Sequence, residues 1–233
     1  MIRGLYSAAG GMLATSHQQD VAAQNLAHAG KPGYRREVLR FDASGGPDDF
    51  VGPSVSLHAD QTSGGFEQTG NSLDAAISGP GMFVIEGPNG PMYSRAGVFQ
   101  LSSAGQLVTP EGFAVQGESG PINLPTNATS ITITNDGSIA ADGSPVDKLR
   151  IVEFADLSKL HRVSSSGFAA PKGVAATNVE QPDIRQGVRE MSNTTAVNEM
   201  VQMTTGLRQF EATQRALRAI GDAIALTTRP TGR

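Results

Sequence analysis

Four histidines, His17, His28, His58 and His161, are the only imidazoles in a chain of 233 residues that has no cysteine. A transition-metal site needs three or four N, S or O ligands at close quarters. Only His17 and His28, eleven residues apart, fall on similar faces of one helix, and two imidazoles do not make a zinc site. They read as solvated side chains. Asp136, Asp142 and Asp147 in "NDGSIAADGSPVD" suggest calcium by type. They lack the EF-hand register and its bidentate glutamate, and NDG and DG are strong hairpin-turn signals. Asp48-Asp49 is an isolated acidic pair with no second carboxylate placed for glycoside chemistry. "SGPGMF" is glycine-rich but lacks the GxGxxG and Walker patterns, so it reads as a hairpin turn. No G-x-S-x-G occurs. These observations assign no catalytic, cofactor-binding or metal-ligating residue, and the expectation is a protein that is not an enzyme.

The elements around these residues are more informative. Twenty-eight glycines and thirteen prolines imply frequent turns, and the apolar share of 38% lies between ordinary globular and disordered chains. The net charge of −4 does not suggest a nucleic-acid partner. Its distribution is uneven. Residues 1–40 carry five basic and two acidic groups (+3), residues 41–184 six and sixteen (−10), and residues 185–233 seven and four (+3). No run of 18 apolar residues exists, so no membrane insertion is expected. Arg3 followed by "GLYSAAGGMLA" has the outline of a signal peptide, but Gly10-Gly11 interrupt the apolar run and a helical pattern continues beyond it.

Both ends carry a seven-residue period. Ile2, Ala9, Ser16 and Ala23 form one row, and Leu5, Met12, Gln19 and Leu26 a second, offset by three. At the other end Met200, Leu207, Gln214 and Gly221 are followed by Met203, Phe210, Leu217 and Ile224. Each pair of rows predicts an a/d seam over about four heptads. The first helix is expected to stop near His28, where Gly30 can take a left-handed cap and Pro32 cannot continue the helix. Asn25, Pro32, Gly33 and Tyr34 then make the turn out of it. Tyr34 reads either as an anchor of that turn or as ordinary half-buried packing. The last helix takes Ser192 or Asn193 as its N-cap and stops at Thr228 and Pro230. The seam residues proposed as a helix or subunit interface are Ile2, Leu5, Ala9, Met12, Gln19, Leu26, Met200, Met203, Leu207, Phe210, Gln214, Leu217 and Ile224.

The middle reads as β-structure. Short apolar or alternating runs at 72–77, 82–86, 97–101, 105–109, 113–117, 130–134 and 148–154 are separated by "SGPG", "GPNG", "SSAG", "TPEG", "NDGS" and "ADGS". Eight of the nine phenylalanines lie between residues 41 and 168, which puts the aromatic core here. The predicted fold is α+β. Long N- and C-terminal helices (1–40 and 187–233) pair as a coiled-coil-like unit, and a β-rich antiparallel body (41–186) is inserted between them. Residues 41–65 and 162–186 read as irregular connections.

"MIRGLYSAAGGM" (Met1–Met12), "NLAHAGKPGYRR" (Asn25–Arg36), the stretch Asn71–Gly117 and "SNTTAVNEMVQMTTGLRQFEATQRAL" (Ser192–Leu217) resemble the bacterial flagellar basal-body rod and hook family. The resemblance covers both ends and most of the middle in order. Family members usually have an Asn pair where this chain has Gln24-Asn25, Asn where it has His28, and Thr where it has Lys31. The resemblance implies terminal helices paired as the inner layer of a hollow, torque-carrying axle, with the β-rich body outside. It further implies export through a specialised secretion channel, a place in the periplasmic basal body, and no cofactor. Other rod and hook proteins, copies of the chain itself and surrounding ring proteins are the implied partners. Short length points to a rod protein in place of a hook subunit, and to the proximal rod. The opening "RGLYSAAGGM" points to the distal rod. A secreted β-rich carbohydrate-binding module and a surface filament or adhesin subunit stay open as readings of another class.

Overall fold

The computed structural model describes residues 2–42 and 54–228, and the side chains of residues 9–41 and 55–223 within them. Asp48 and Asp49 lie outside the described residues, as do the side chains of Ile2, Leu5 and Ile224. Two helices bracket the chain: α1, Ile2–His28, and α2, Ala196–Thr228. Both match the periodic segments, and they pair with each other, while the chain between them forms antiparallel β-structure. No helix among the described residues is long and apolar enough to cross a membrane.

The chain divides into two compact units. The first holds residues 1–27, 37–58 and 194–233, and the second residues 28–36 and 59–193. The first unit thus includes more than the helices. Its strand Glu37–Asp42 pairs with Ser54–Ala59, in a region that reads from sequence as an irregular connection. Conversely, residues 28–36 and 187–193 belong to the β-unit, although the sequence places them with the helices.

The β-unit is built on a nine-stranded sheet. Its spine is the hairpin of Met82–Gly87 with Gly90–Ser94, turned by "GPNG", where Gly90 sits at φ 120°. Meander pairs follow through "SSAG" and "TPEG", joining Gln100–Leu101, Leu107–Val108 and Ala114–Val115. "NDGS" and "ADGS" turn a separate three-stranded sheet of Ile131–Ile133, Ser138–Ala141 and Ser144–Lys148. "SGPG" is not a hairpin turn. The strand before it, Ala75–Ile77, pairs with Ile184–Gln186, while the strand after it pairs elsewhere. Gly81, at φ 118°, lets the chain pass close to Ile151, whose Cγ2 would lie 2.7 Å from a Cβ there.

Two apolar clusters hold this unit. The larger gathers Ile77, Phe83, Phe99, Leu107, Val115, Ile122, Ile139, Leu149, Ile151 and Ile184. Phe83 meets Phe99 edge to face at 5.2 Å, the arrangement the ring quadrupoles favour. The smaller cluster packs Met82, Val84, Val152, Leu160 and Phe168 around the Tyr93–Phe154 pair at 4.7 Å. Phe83 has no exposed surface, so Phe83→Ala leaves a cavity as well as losing burial. It is expected to cost about 3–5 kcal/mol, read as a fall in the urea midpoint; a loss too small to move that midpoint would mean that the larger cluster is not centred on this ring.

Candidate functional site, a helix pair and a buried ion-pair knot

α1 stops where its chain is seized from the side. Asn25 is almost fully buried, donates from Nδ2 to the carbonyl of Glu37 at 2.9 Å, and accepts from the N–H of Glu37 at 2.8 Å. This two-way bond satisfies the backbone of a residue twelve positions on. The predicted left-handed cap at Gly30 is not formed. The left-handed residue is Gly33, at φ 66°, where a Cβ would come 2.2 Å from Ala96 N. Lys31 N–H bonds back to the His28 carbonyl at 2.9 Å, and Pro32 follows.

α2 starts later than expected. Its N-cap is Thr195, whose Oγ1 accepts from the Asn198 N–H at 3.4 Å, in place of Ser192 or Asn193. The next threonine upstream, Thr194, donates from Oγ1 to the buried carboxylate of Glu199 at 2.6 Å. Asn193 has another task. It donates from Nδ2 to the carbonyls of Asp60 and Thr62 at 2.9 and 3.1 Å, and accepts from the Arg36 N–H at 2.6 Å.

The covered side of each helix is one stripe. On α1 it runs through Met12, Thr15, Gln19, Ala22, Leu26 and Asn25, and on α2 through Glu199, Met203, Gly206, Phe210, Thr213, Leu217 and Ile220. Gly206 brings the helices close: a Cβ there would lie 3.4 Å from Gln19 Cγ. The structure therefore puts Met12, Gln19, Leu26, Met203, Phe210 and Leu217 on the half-covered faces. Ala9, Met200, Leu207 and Gln214 stand exposed on the other side of the same row. The row offset by three lies after each shared row and not before it, a rotation of roughly 60° about the helix axis at 3.6 residues per turn. After pairing, large apolar side chains stay in water: Leu13 is 65% exposed, Val197 70% and Val201 60%, with Met200 and Leu207 just over half.

Within the β-unit, the turn after α1 and the segment before α2 are tied by buried charge. Glu190 has no exposed surface. Its Oε1 meets Arg35 Nη2 at 2.8 Å and accepts from the Gly64 N–H at 3.0 Å, and its Oε2 lies 3.3 Å from Arg95 Nε. Its carbonyl accepts from the Gly33 N–H at 2.7 Å. Arg35 also donates to the Thr62 carbonyl at 2.6 Å and Arg95 to that of Gly79 at 2.6 Å. Tyr34, fully buried, lies beneath the guanidinium of Arg162 at 4.7 Å and beside the His28 ring at 5.1 Å, and Arg162 hydrogen-bonds the Arg35 carbonyl. Tyr34 is thus embedded in the turn by its ring face. Of the acidic residues considered for calcium, Asp136 and Asp142 serve different turns and Asp147 lies on the strand Ser144–Lys148. Asp136 accepts from Thr134 and Ser138, which hold its carboxyl down at about 2. Asp142, at φ 49°, accepts from the Thr129 and Ser130 N–H groups, and Asp147 from that of Lys148. No group of three or more metal-ligating side chains gathers among the described residues.

The helices and the β-unit match known proteins in the same order. Residues 76–141 match the flagellar hook protein FlgE/F/G D1 domain, and residues 185–224 the flagellar basal body rod FlgEFG protein C-terminal family. The chain is 33% identical to the flagellar basal-body rod protein FlgF of Escherichia coli over 242 residues, covering 95% of each. It is 30% identical to FlgG of Agrobacterium fabrum over 262 residues, with 98% of this chain and 99% of that protein covered. The chain belongs to the flagellar basal-body rod protein family. FlgF of Rhizobium meliloti is also similar, 31% identical over 219 residues with 91% and 90% covered. The first matched region is part of the β-unit and the second runs from its last strands through most of α2, and the comparisons with whole rod proteins cover more than nine-tenths of the chain.

The ion-pair knot was not foreseen from sequence, and it carries the sharpest stability test. Glu190→Ala leaves two buried guanidinium groups without their carboxylate. It is expected to cost about 3–5 kcal/mol, measured as a drop in the urea midpoint at unchanged slope. A change under about 1 kcal/mol, the worth of an exposed pair, would mean that the knot is solvated.

Proposed function

We propose that this chain is a subunit of the hollow flagellar rod, assembling through its terminal helices with its own copies and with other rod and hook proteins. In this reading it is exported to the periplasm and lies in the basal body, with ring proteins around it. We place it in the proximal rod, as an FlgF-type subunit. Identities of 33% and 31% to two FlgF proteins, against 30% and 28% to two FlgG proteins, support this.

The observation that carries the assembly reading is the apolar row left uncovered after the helices pair. Burying a large apolar side chain contributes about 1.5–3 kcal/mol, so Val197, Met200, Val201 and Leu207 together are a substantial drive for association. A subunit whose surface match does not close on itself repeats head to tail into a helical tube. The charge distribution fits such a layered tube, since ends at +3 and a middle at −10 favour unlike neighbours between layers.

Two substitutions on α2 separate this role from folding. Leu207→Asp lies on the exposed row, so the purified subunit should keep its circular dichroism and unfolding midpoint while cells carrying it lose swimming. Phe210→Asp lies on the half-covered row and should lower the midpoint as well. Normal swimming with Leu207→Asp would remove the exposed row from the assembly surface. Co-purification of the wild-type chain with basal bodies, and pull-down with individual rod and ring components, checks its position along the axle.

A further inference from the structure

The buried charges of the β-unit do not balance around one cavity. Arg35 and Arg95 are 1% and 5% exposed and share the single buried carboxylate of Glu190. Both line a cavity of about 220 Å³ with Gln61, Ser63, the Gly79–Gly81 backbone and Leu157. That volume is below the 300–1,000 Å³ of drug-sized pockets and ample for one carboxylate.

The donors around it are not used up. Arg95 Nε lies 3.3 Å from Glu190 Oε2 as an ion pair without a hydrogen bond, and Nη2 donates to the Gly79 carbonyl, with Ser63 Oγ further away at 3.4 Å. Its buried Nη1 has no hydrogen-bond partner among the described residues, and neither does Arg35 Nε. Burial lowers the Arg95 pKa from its ordinary value, Glu190 raises it and Arg35 lowers it again. A guanidinium presents five donors in a planar fork suited to a carboxylate, and leaving buried charged donors unmade is costly. The one carboxylate on the lining, Glu153, is itself exposed at the end of its strand.

We infer that this cavity is a binding site for a carboxylate group, held by the open donors of Arg95 and Arg35. The carboxylate comes either from a small free acid or from an Asp or Glu side chain of a neighbouring subunit. The second source rests on the rod reading and the first does not.

The test uses the full chain. Ser63 is exposed and its Oγ already faces Arg95 Nη2, so Ser63→Asp supplies a tethered carboxylate, and Ser63→Asn supplies the same shape without charge. Ser63→Asp should raise the thermal midpoint by about 2–4 °C, the shift expected of a 1 kcal/mol gain in a chain this long. Ser63→Asn, and Ser103→Asp on a distant turn, should not. Sodium acetate at the ionic strength of a sodium chloride control should raise the wild-type midpoint and leave Ser63→Asp unmoved, which assigns the site to free acids. Stabilisation by Ser63→Asp with no response to acetate assigns it to a neighbour's side chain, and cells carrying that stabilised variant should then swim poorly. No gain from Ser63→Asp over Ser63→Asn, together with no acetate response, overturns the site even if the rod reading stands.

Discussion

The carboxylate of Glu190 is the constraint on which the β-unit depends. Removing a charge from water costs several kcal/mol, and only close, well-aligned partners offset it. Here those partners arrive from chain segments 95 and 155 residues away, Arg95 and Arg35. Whatever holds Glu190 must therefore hold the start and the end of the unit in register. The surrounding backbone is shaped to allow this. Gly33 and Gly64 occupy positions where a Cβ would lie 2.2 Å from Ala96 N and 2.0 Å from Met191 O. Asn193 closes the same region through three backbone groups of the early chain. A unit fastened at both of its chain ends in this way has its entry and exit fixed, which is what a subunit needs if force enters through its termini.

The helix pair follows a different physics. Its covered stripe contains small and polar residues, Thr15, Ala22, Gly206 and Thr213, alternating with the larger Met12, Leu26, Met203, Phe210 and Leu217. Small residues permit close approach, as between Gly206 and Gln19. They also leave little apolar area to bury. The pair is consequently lightly sealed, and bulky side chains that would seal it better point away.

That geometry explains how far the sequence could be read. The seven-residue period located both helices and one of the two rows on each, Met12/Gln19/Leu26 and Met203/Phe210/Leu217. A heptad row has two neighbours, three residues before and three after, and hydrophobicity decides between them. On α2 the earlier row holds Met200 and Leu207 and the later one Gly206 and Thr213, so hydrophobicity selects the earlier. The turns were legible because their chemistry is local: Gly90, Gly137 and Gly143 all adopt the positive φ that their dipeptides announce. The knot was not, because Arg35, Arg95 and Glu190 are far apart in sequence, and an isolated charged residue reads as solvated surface. The N-cap was missed for a related reason. Ser192, Asn193, Thr194 and Thr195 are all competent caps by type, and only the bonds of Asn193 to Asp60 and Thr62 show that it is already engaged.

The exposed row bears on function more than the half-covered one. A helix that only had to cover its own partner would turn Met200 and Leu207 inward and leave Gly206 and Thr213 to solvent, because that arrangement buries more apolar area. This chain does the reverse, and keeps Val197, Met200, Val201 and Leu207 in water at a free-energy cost. Such a cost is offset when another surface covers the row, and contiguous exposed apolar patches of this kind mark interaction sites. Close approach through small residues on one side and a bulky apolar row on the other is the division of surface that a helix needs to serve two neighbours at once. In the rod reading proposed above, the second neighbour is another subunit.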